Sequence, residues 1–105
     1  MNQYRQGDVL LIRVAKAPRL ARHIKAKPGR IVLAEGETTG HAHRLEVELA
    51  DLLEDATGRR FVEMPVPGRL VHEEHGAIDV PAGVYEVVRQ REYVPESHAP
   101  RPVAD

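Results

Sequence analysis

The chain has no cysteine, no tryptophan and a single phenylalanine among its 105 residues. Without cysteine there can be no disulfide scaffold, thiolate zinc site or cysteine nucleophile, so any bound metal must rest on nitrogen and oxygen. The same lack fits a reducing compartment, and a cytosolic location is the expectation. The shortage of aromatic rings leaves little material for stacking bases. A formal net charge of −1 argues against a protein that coats nucleic acid. No apolar run approaches the roughly 20 residues that span a bilayer, and residues 1–8 contain no apolar stretch of the signal-peptide kind. No membrane partner is expected.

What the chain does have is a rhythm of short apolar runs cut by turn residues. A length of 105 residues makes one domain able to bury its own core. Val9 to Val14 is a nearly continuous aliphatic run behind Gly7 and reads as a central strand; Ile31 to Ala34 is a second. In the stretch from His43 to Leu49, Leu45, Val47 and Leu49 alternate with polar residues, predicting a half-buried strand. A helical reading through Leu45, Leu49, Leu52 and Leu53 competes with it. Asp55 to Gly58 reads as the turn of a hairpin between Leu52-Leu53-Glu54 and the run from Arg59 to Met64. Arg69 to Glu74, Ala77 to Val80 and Val84 to Tyr93 complete the series, with Pro81-Ala82-Gly83 as a turn. Turn signals about every ten residues predict an all-β domain, a small barrel or sandwich of about seven short strands over residues 1–94. Residues 95–105, with Pro95, Pro100 and Pro102, read as an extended tail available to a neighbouring subunit.

Chemistry concentrates in two histidine islands, Gly40-His41-Ala42-His43 and His72-Glu73-Glu74-His75, which hold four of the six histidines. On a strand, His41 and His43 point the same way, roughly 6 to 7 Å apart at the backbone, and their rings can lean toward one ion. His72 and His75 fall on opposite faces of a regular strand, so a bulge or turn is needed to bring both round. Glu73 or Glu74 would then serve as an oxygen ligand or as the acceptor that orients an imidazole. Three nitrogens with an open position suit a divalent metal, zinc or iron, that binds water or a small polar ligand. The competing reading is a structural polar network in which the same histidines pair with Arg44, Glu73 and Glu74. Nothing designates a reaction: Thr38 and Thr39 near the first island are too ordinary to mark a nucleophile.

The motifs Arg-Gln-Gly-Asp-Val-Leu at residues 5–10, Gly-His-Ala-His at 40–43, His-Glu-Glu-His at 72–75 and Pro-Ala-Gly-Val-Tyr through Arg-Gln-Arg-Glu-Tyr at 81–93 resemble a family of small bacterial and phage-encoded proteins of uncharacterised function. That resemblance implies no reaction. A fainter one is to cupins, whose first motif Gly36, His41, His43 and Glu48 imitate and whose second Pro81-Ala82-Gly83 opens. No histidine follows Gly83, however, where Val84, Tyr85 and Glu86 stand.

Two further concentrations of charge remain. Arg89, Arg91 and Tyr93 share one face of a strand and could grip an anion or the tail of another subunit, or pair across strands with Glu46, Glu48 or Glu63. Between Arg13 and Arg30 five further basic residues accumulate with no acid among them, and Leu20 with Ile24 would give one apolar stripe to a short helical turn. That stretch is either a dock for phosphate, and so for nucleic acid, or a solvated connection. The expectation is therefore a metal-binding β domain, with a non-enzymatic assembly or adaptor module, and hence a homo-oligomer, as the alternative.

Overall fold

The computed structural model of the chain describes residues 2–27, 29–35, 41–94 and 99–102, the last strand pair by its backbone. In chain order the strands are β1 (Gln3–Gln6), β2 (Val9–Val14), β3 (Arg22–Ile24), β4 (Arg30–Glu35), β5 (Ala42–Glu46) and β6 (Asp51–Glu54). They continue with β7 (Arg60–Met64), β8 (Gly68–Val71), β9 (Ile78–Val80), β10 (Gly83–Arg89), β11 (Arg91–Val94) and β12 (Ala99–Pro102). Ten of these build two antiparallel sheets, one ordered β1-β2-β10-β7-β6-β3 and the other β4-β5-β8-β9, while β11 and β12 pair with each other. The domain is therefore a sandwich of two open sheets and not a closed barrel. No helix of the described residues is long and apolar enough to cross a membrane.

The inner faces of both sheets supply one core. Leu11, Leu52, Val62, Met64 and Tyr85 from the larger sheet meet Ile31, Leu33, Leu45, Leu70 and Val80 from the smaller. Full burial of an aliphatic or aromatic side chain is worth roughly 1.5–3 kcal/mol each, which explains why the period-two pattern, and not local propensity, sets the strands. Tyr85 is wholly buried, meets Tyr4 edge-on at 5.8 Å and donates its hydroxyl to the Pro81 carbonyl at 2.8 Å. That bond ties β10 to the turn that precedes it.

Four expectations are corrected. The strand count exceeds seven because stretches without an apolar run also pair as strands, Gln3–Gln6 with β2 and Arg22–Ile24 with β6, and because the last run is divided in two. The run beginning at His43 ends as a strand at Glu46, and after the bend at Glu48 and Leu49 the latter is 62% exposed. The run from Val84 to Tyr93 is split at Gln90, whose amide donates to the Asp8 carbonyl at 2.7 Å and clamps the end of β10 to the β1–β2 turn. Finally, the basic stretch makes no helical turn: Arg22–Ile24 pairs with β6 as an edge strand. Ile24 there packs against the core while Leu20 stands 93% exposed. Backbone pairing on an open sheet edge outweighed the weak stripe of two residues.

The Asp55 to Gly58 turn closes β6 on β7 as the sequence suggests, with Asp55 Oδ1 accepting the amides of Thr57 and Arg59. Beside it Glu54 accepts from Arg22 at 2.9 Å and from Arg60 at 3.2 Å, and these bonds hold its carboxyl below the ordinary 4.5. Because the folded value is the lower one, its contribution to stability is complete above about pH 4.5 and is lost as the pH falls through the folded value. Glu54→Gln should thus unfold earlier than wild type in urea at neutral pH, with the gap closing in acid. A gap that stays constant with pH would contradict this assignment.

Candidate metal centre

β5 lies between β4 and β8, and its alternation turns His43 and Leu45 inward while Arg44 faces out, half-buried. The pairing of Arg44 with Val71 brings the chain leaving β8 alongside His43. Strand geometry then stops: residues 73–75 form a bend, so that His72 and His75, which a continued strand would send apart, turn to the same side. The His43 and His72 ring centroids are 4.3 Å apart, those of His72 and His75 4.6 Å, and those of His43 and His75 5.7 Å. One ring nitrogen from each of the three lies within 4.8 Å of the other two. His43 and His72 are buried and His75 is half-buried, and Nε2 of both His72 and His75 meets no hydrogen-bonding partner among the described residues.

The other sheet contributes the floor. The β1–β2 turn, Gln6-Gly7-Asp8, pushes in beneath the rings, and Gly7 lies so close that a Cβ there would sit 2.7 Å from His75 Nε2 and 3.1 Å from His43 Cε1. Gln6 is buried; its amide nitrogen donates to the carbonyls of Leu70 at 3.1 Å and Gly76 at 2.9 Å, and its Oε1 stands 3.0 Å from His43 Nδ1. Asp8 is buried too, with Oδ1 3.2 Å from His43 Nε2 and Oδ2 accepting from Arg89 Nε at 2.7 Å. Burial pushes the Asp8 carboxyl up, but the Arg89 bond and charge, with His43 behind them, bring it below its ordinary value.

His41 and the two glutamates, named with these histidines from sequence, form a rim instead. His41 Nδ1 lies 2.9 Å from Glu74 Oε1, and its ring meets His72 edge-on at 5.7 Å. Glu73 accepts the Ala42 amide at 2.8 Å and pairs with Arg44; those two contacts, the amide first, lower its pKa to about 2. The structure therefore gathers His43, His72 and His75 and places His41, Glu73 and Glu74 beside them, with Glu73 taken up by Arg44 and the Ala42 amide. Arg89 turns to Asp8, not to Glu46, Glu48 or Glu63, while the side chains of Arg91 and Tyr93 and residues 36–40 lie outside the described residues. Glu48, the cupin-like position, is exposed beyond β5. In the basic stretch, Lys25, Lys27 and Arg30 rim a groove of about 410 Å³ floored by Ile24, Val32 and Leu52.

Sequence reading missed Gln6, Gly7 and Asp8 as part of this centre. The only local signal was Gly7 bounding the strand-like run that follows it; the contacts made by Gln6 and Asp8 span 37 to 81 residues of chain.

Tetrahedral zinc at roughly 2.0–2.1 Å from each nitrogen keeps its ligands about 3.4 Å apart, so the triad fits a first-row ion after a modest contraction. One contact resists it. The Glu74 amide donates to His72 Nδ1 at 3.0 Å, which puts the ring proton of neutral His72 on Nε2. A metal at that nitrogen would replace the proton and require the Glu74 amide to turn away.

Fold and site together define a β-sandwich with a buried trihistidine cluster at the junction of its two sheets. The chain belongs to the family described as a domain of unknown function, DUF8820, whose match covers residues 5–90 and so includes every residue of the cluster. No curated protein and no solved structure matches the chain.

Proposed function

We propose that the protein is a divalent-metal-binding domain in which His43, His72 and His75 are the ligands and an open position admits water or a small polar molecule. The observation that carries this reading is the convergence of three imidazole nitrogens, from two distant stretches of chain, within 4.8 Å of one another inside the fold. All-nitrogen donors favour zinc or ferrous iron over the hard cations magnesium and calcium. An open fourth position would let the ion polarise a bound ligand or lower the pKa of a bound water, which is the chemistry such a centre supplies.

Titration of chelator-treated protein with Co²⁺ tests it. One equivalent should bind with the visible bands of a nitrogen-rich, four- or five-coordinate site, and zinc should displace it and raise the melting temperature. His75→Ala should abolish the bands, while His41→Ala should retain them. Substoichiometric binding, or a His75→Ala spectrum like wild type, would refute the proposal. It would favour a second reading that the Asp8–His43 contact supports: a structural polar network in a non-enzymatic assembly module.

A further inference from the structure

The buried Gln6 amide occupies an unusual place: it reaches from β1 to both ends of the turn that carries His72 and His75, and also to His43 on β5. An amide oxygen and nitrogen are ordinarily hard to tell apart, but here the surroundings decide. Leu70 and Gly76 present carbonyl oxygens, at 3.1 and 2.9 Å, and only the NH₂ end can donate to both. The oxygen is left facing His43 Nδ1 at 3.0 Å, and since an amide oxygen accepts only, the proton of that contact belongs to Nδ1. Nε2 is then the nitrogen that faces Asp8 Oδ1 at 3.2 Å, and because a carboxylate accepts only, that side of the ring is where a proton or a cation is held.

We infer that Gln6 is a positioning residue for the metal centre: it keeps Nδ1 of His43 as a donor, which leaves Nε2 as the nitrogen able to ligate, and pins the turn that presents the other two imidazoles. The inference rests on the metal-binding reading for its purpose, but its geometry is independent of any ion. Histidines that ligate through one nitrogen need a partner on the other to hold ring and tautomer, and loss of that partner ordinarily weakens metal binding 10–100-fold. Gln6 differs from a simple acceptor in also tying Leu70 and Gly76, so a single amide sets the orientation of one ligand and the spacing of the other two.

The test is nitrogen-15 NMR of the histidine rings in metal-free protein at mildly alkaline pH, combined with metal titration of Gln6→Met. In wild type, His43 should show a protonated Nδ1. The variant should lose that tautomer preference and bind zinc roughly 10–100-fold more weakly. An unprotonated Nδ1 in wild-type His43 overturns the inference whether or not the variant folds. So does a folded Gln6→Met that binds zinc as tightly as wild type. If wild type shows the expected tautomer but takes up no metal, the metal reading fails while the orientation of His43 by Gln6 stands.

Discussion

Replacing Gly7 by alanine should destabilise the metal-free protein by about 2–4 kcal/mol, the sum of a left-handed backbone penalty of about 1 kcal/mol and an overpacking cost of about 1–3 kcal/mol. Both contributions are visible. Gly7 has φ of 57°, and a Cβ there would press on His75 Nε2 at 2.7 Å and on His43 Cε1 at 3.1 Å. Two other glycines separate the effects. Gly58 has φ of 90° with nothing within 4 Å of its would-be Cβ, so Gly58→Ala should cost only the backbone share, about 1 kcal/mol. Gly76 has neither positive φ nor a neighbour within 4 Å, and Gly76→Ala should stay within about 0.5 kcal/mol of wild type. Urea midpoints of the three variants check the series. The steric part has a second consequence, because the methyl group displaces the His75 nitrogen from its two companions and should weaken zinc binding as well. A Gly7→Ala protein as stable as Gly76→Ala would mean that the turn does not pack against the rings.

The residues that were legible in the sequence are those whose role is periodic or local. Leu45 and Val47 announce a half-buried strand because alternate side chains face opposite ways, and Asp55 with Gly58 announces a hairpin because an Asx turn is made within five residues. The bend that lets His72 and His75 face one way was required by the strand period and is present after Val71. What failed to show was anything decided by pairing between distant strands. Leu49 has the same apolar character as Val47 but lies past the bend, so it is exposed where Val47 is buried. Ile24 and Leu20 look alike in a helical stripe; the pairing of β3 with β6 buries one side chain against the core and leaves the other in solvent.

The centre divides along the same line. The histidine islands stand out because imidazole is scarce and clustered in the chain. Their separation into three converging rings and one rim residue depends on register: Ala34 opposite His43 and Arg44 opposite Val71 set which ring lies deepest. Glu73 and Glu74 carry the right donor atoms, yet each meets a nearer partner, Arg44 and His41, before it could reach the cluster. Asp8, whose carboxylate does reach His43, sits in a motif whose neighbours Val9, Leu10 and Leu11 advertise only a strand.

The Asp8–Arg89 contact supplies the other large expected effect. Arg89 stands opposite Val9 in the pairing of β10 with β2, which aims its guanidinium at the carboxylate that opens β2. Asp8 is wholly buried there while Arg89 is about a quarter exposed, so the two partners are not equivalent. Arg89→Met would leave a buried carboxylate with much less compensation, at a cost of about 3 kcal/mol. Adding Asp8→Asn to that variant removes the charge whose desolvation is then unbalanced, so the double variant should be more stable than Arg89→Met alone, by at least about 1 kcal/mol. The double-mutant cycle, measured by urea unfolding of metal-free protein, reports the coupling directly. Strict additivity would show that the pair is a surface ion pair in energetic terms and that burial of Asp8 is relieved by other groups. Strong coupling, in contrast, would mean that the end of β10 is fastened to the β1–β2 turn through a side chain as well as through the Gln90 amide. That double fastening would hold the Gln6-Gly7-Asp8 turn under the three rings in the metal-free protein, the preorganisation on which selective metal binding by a small sandwich would depend.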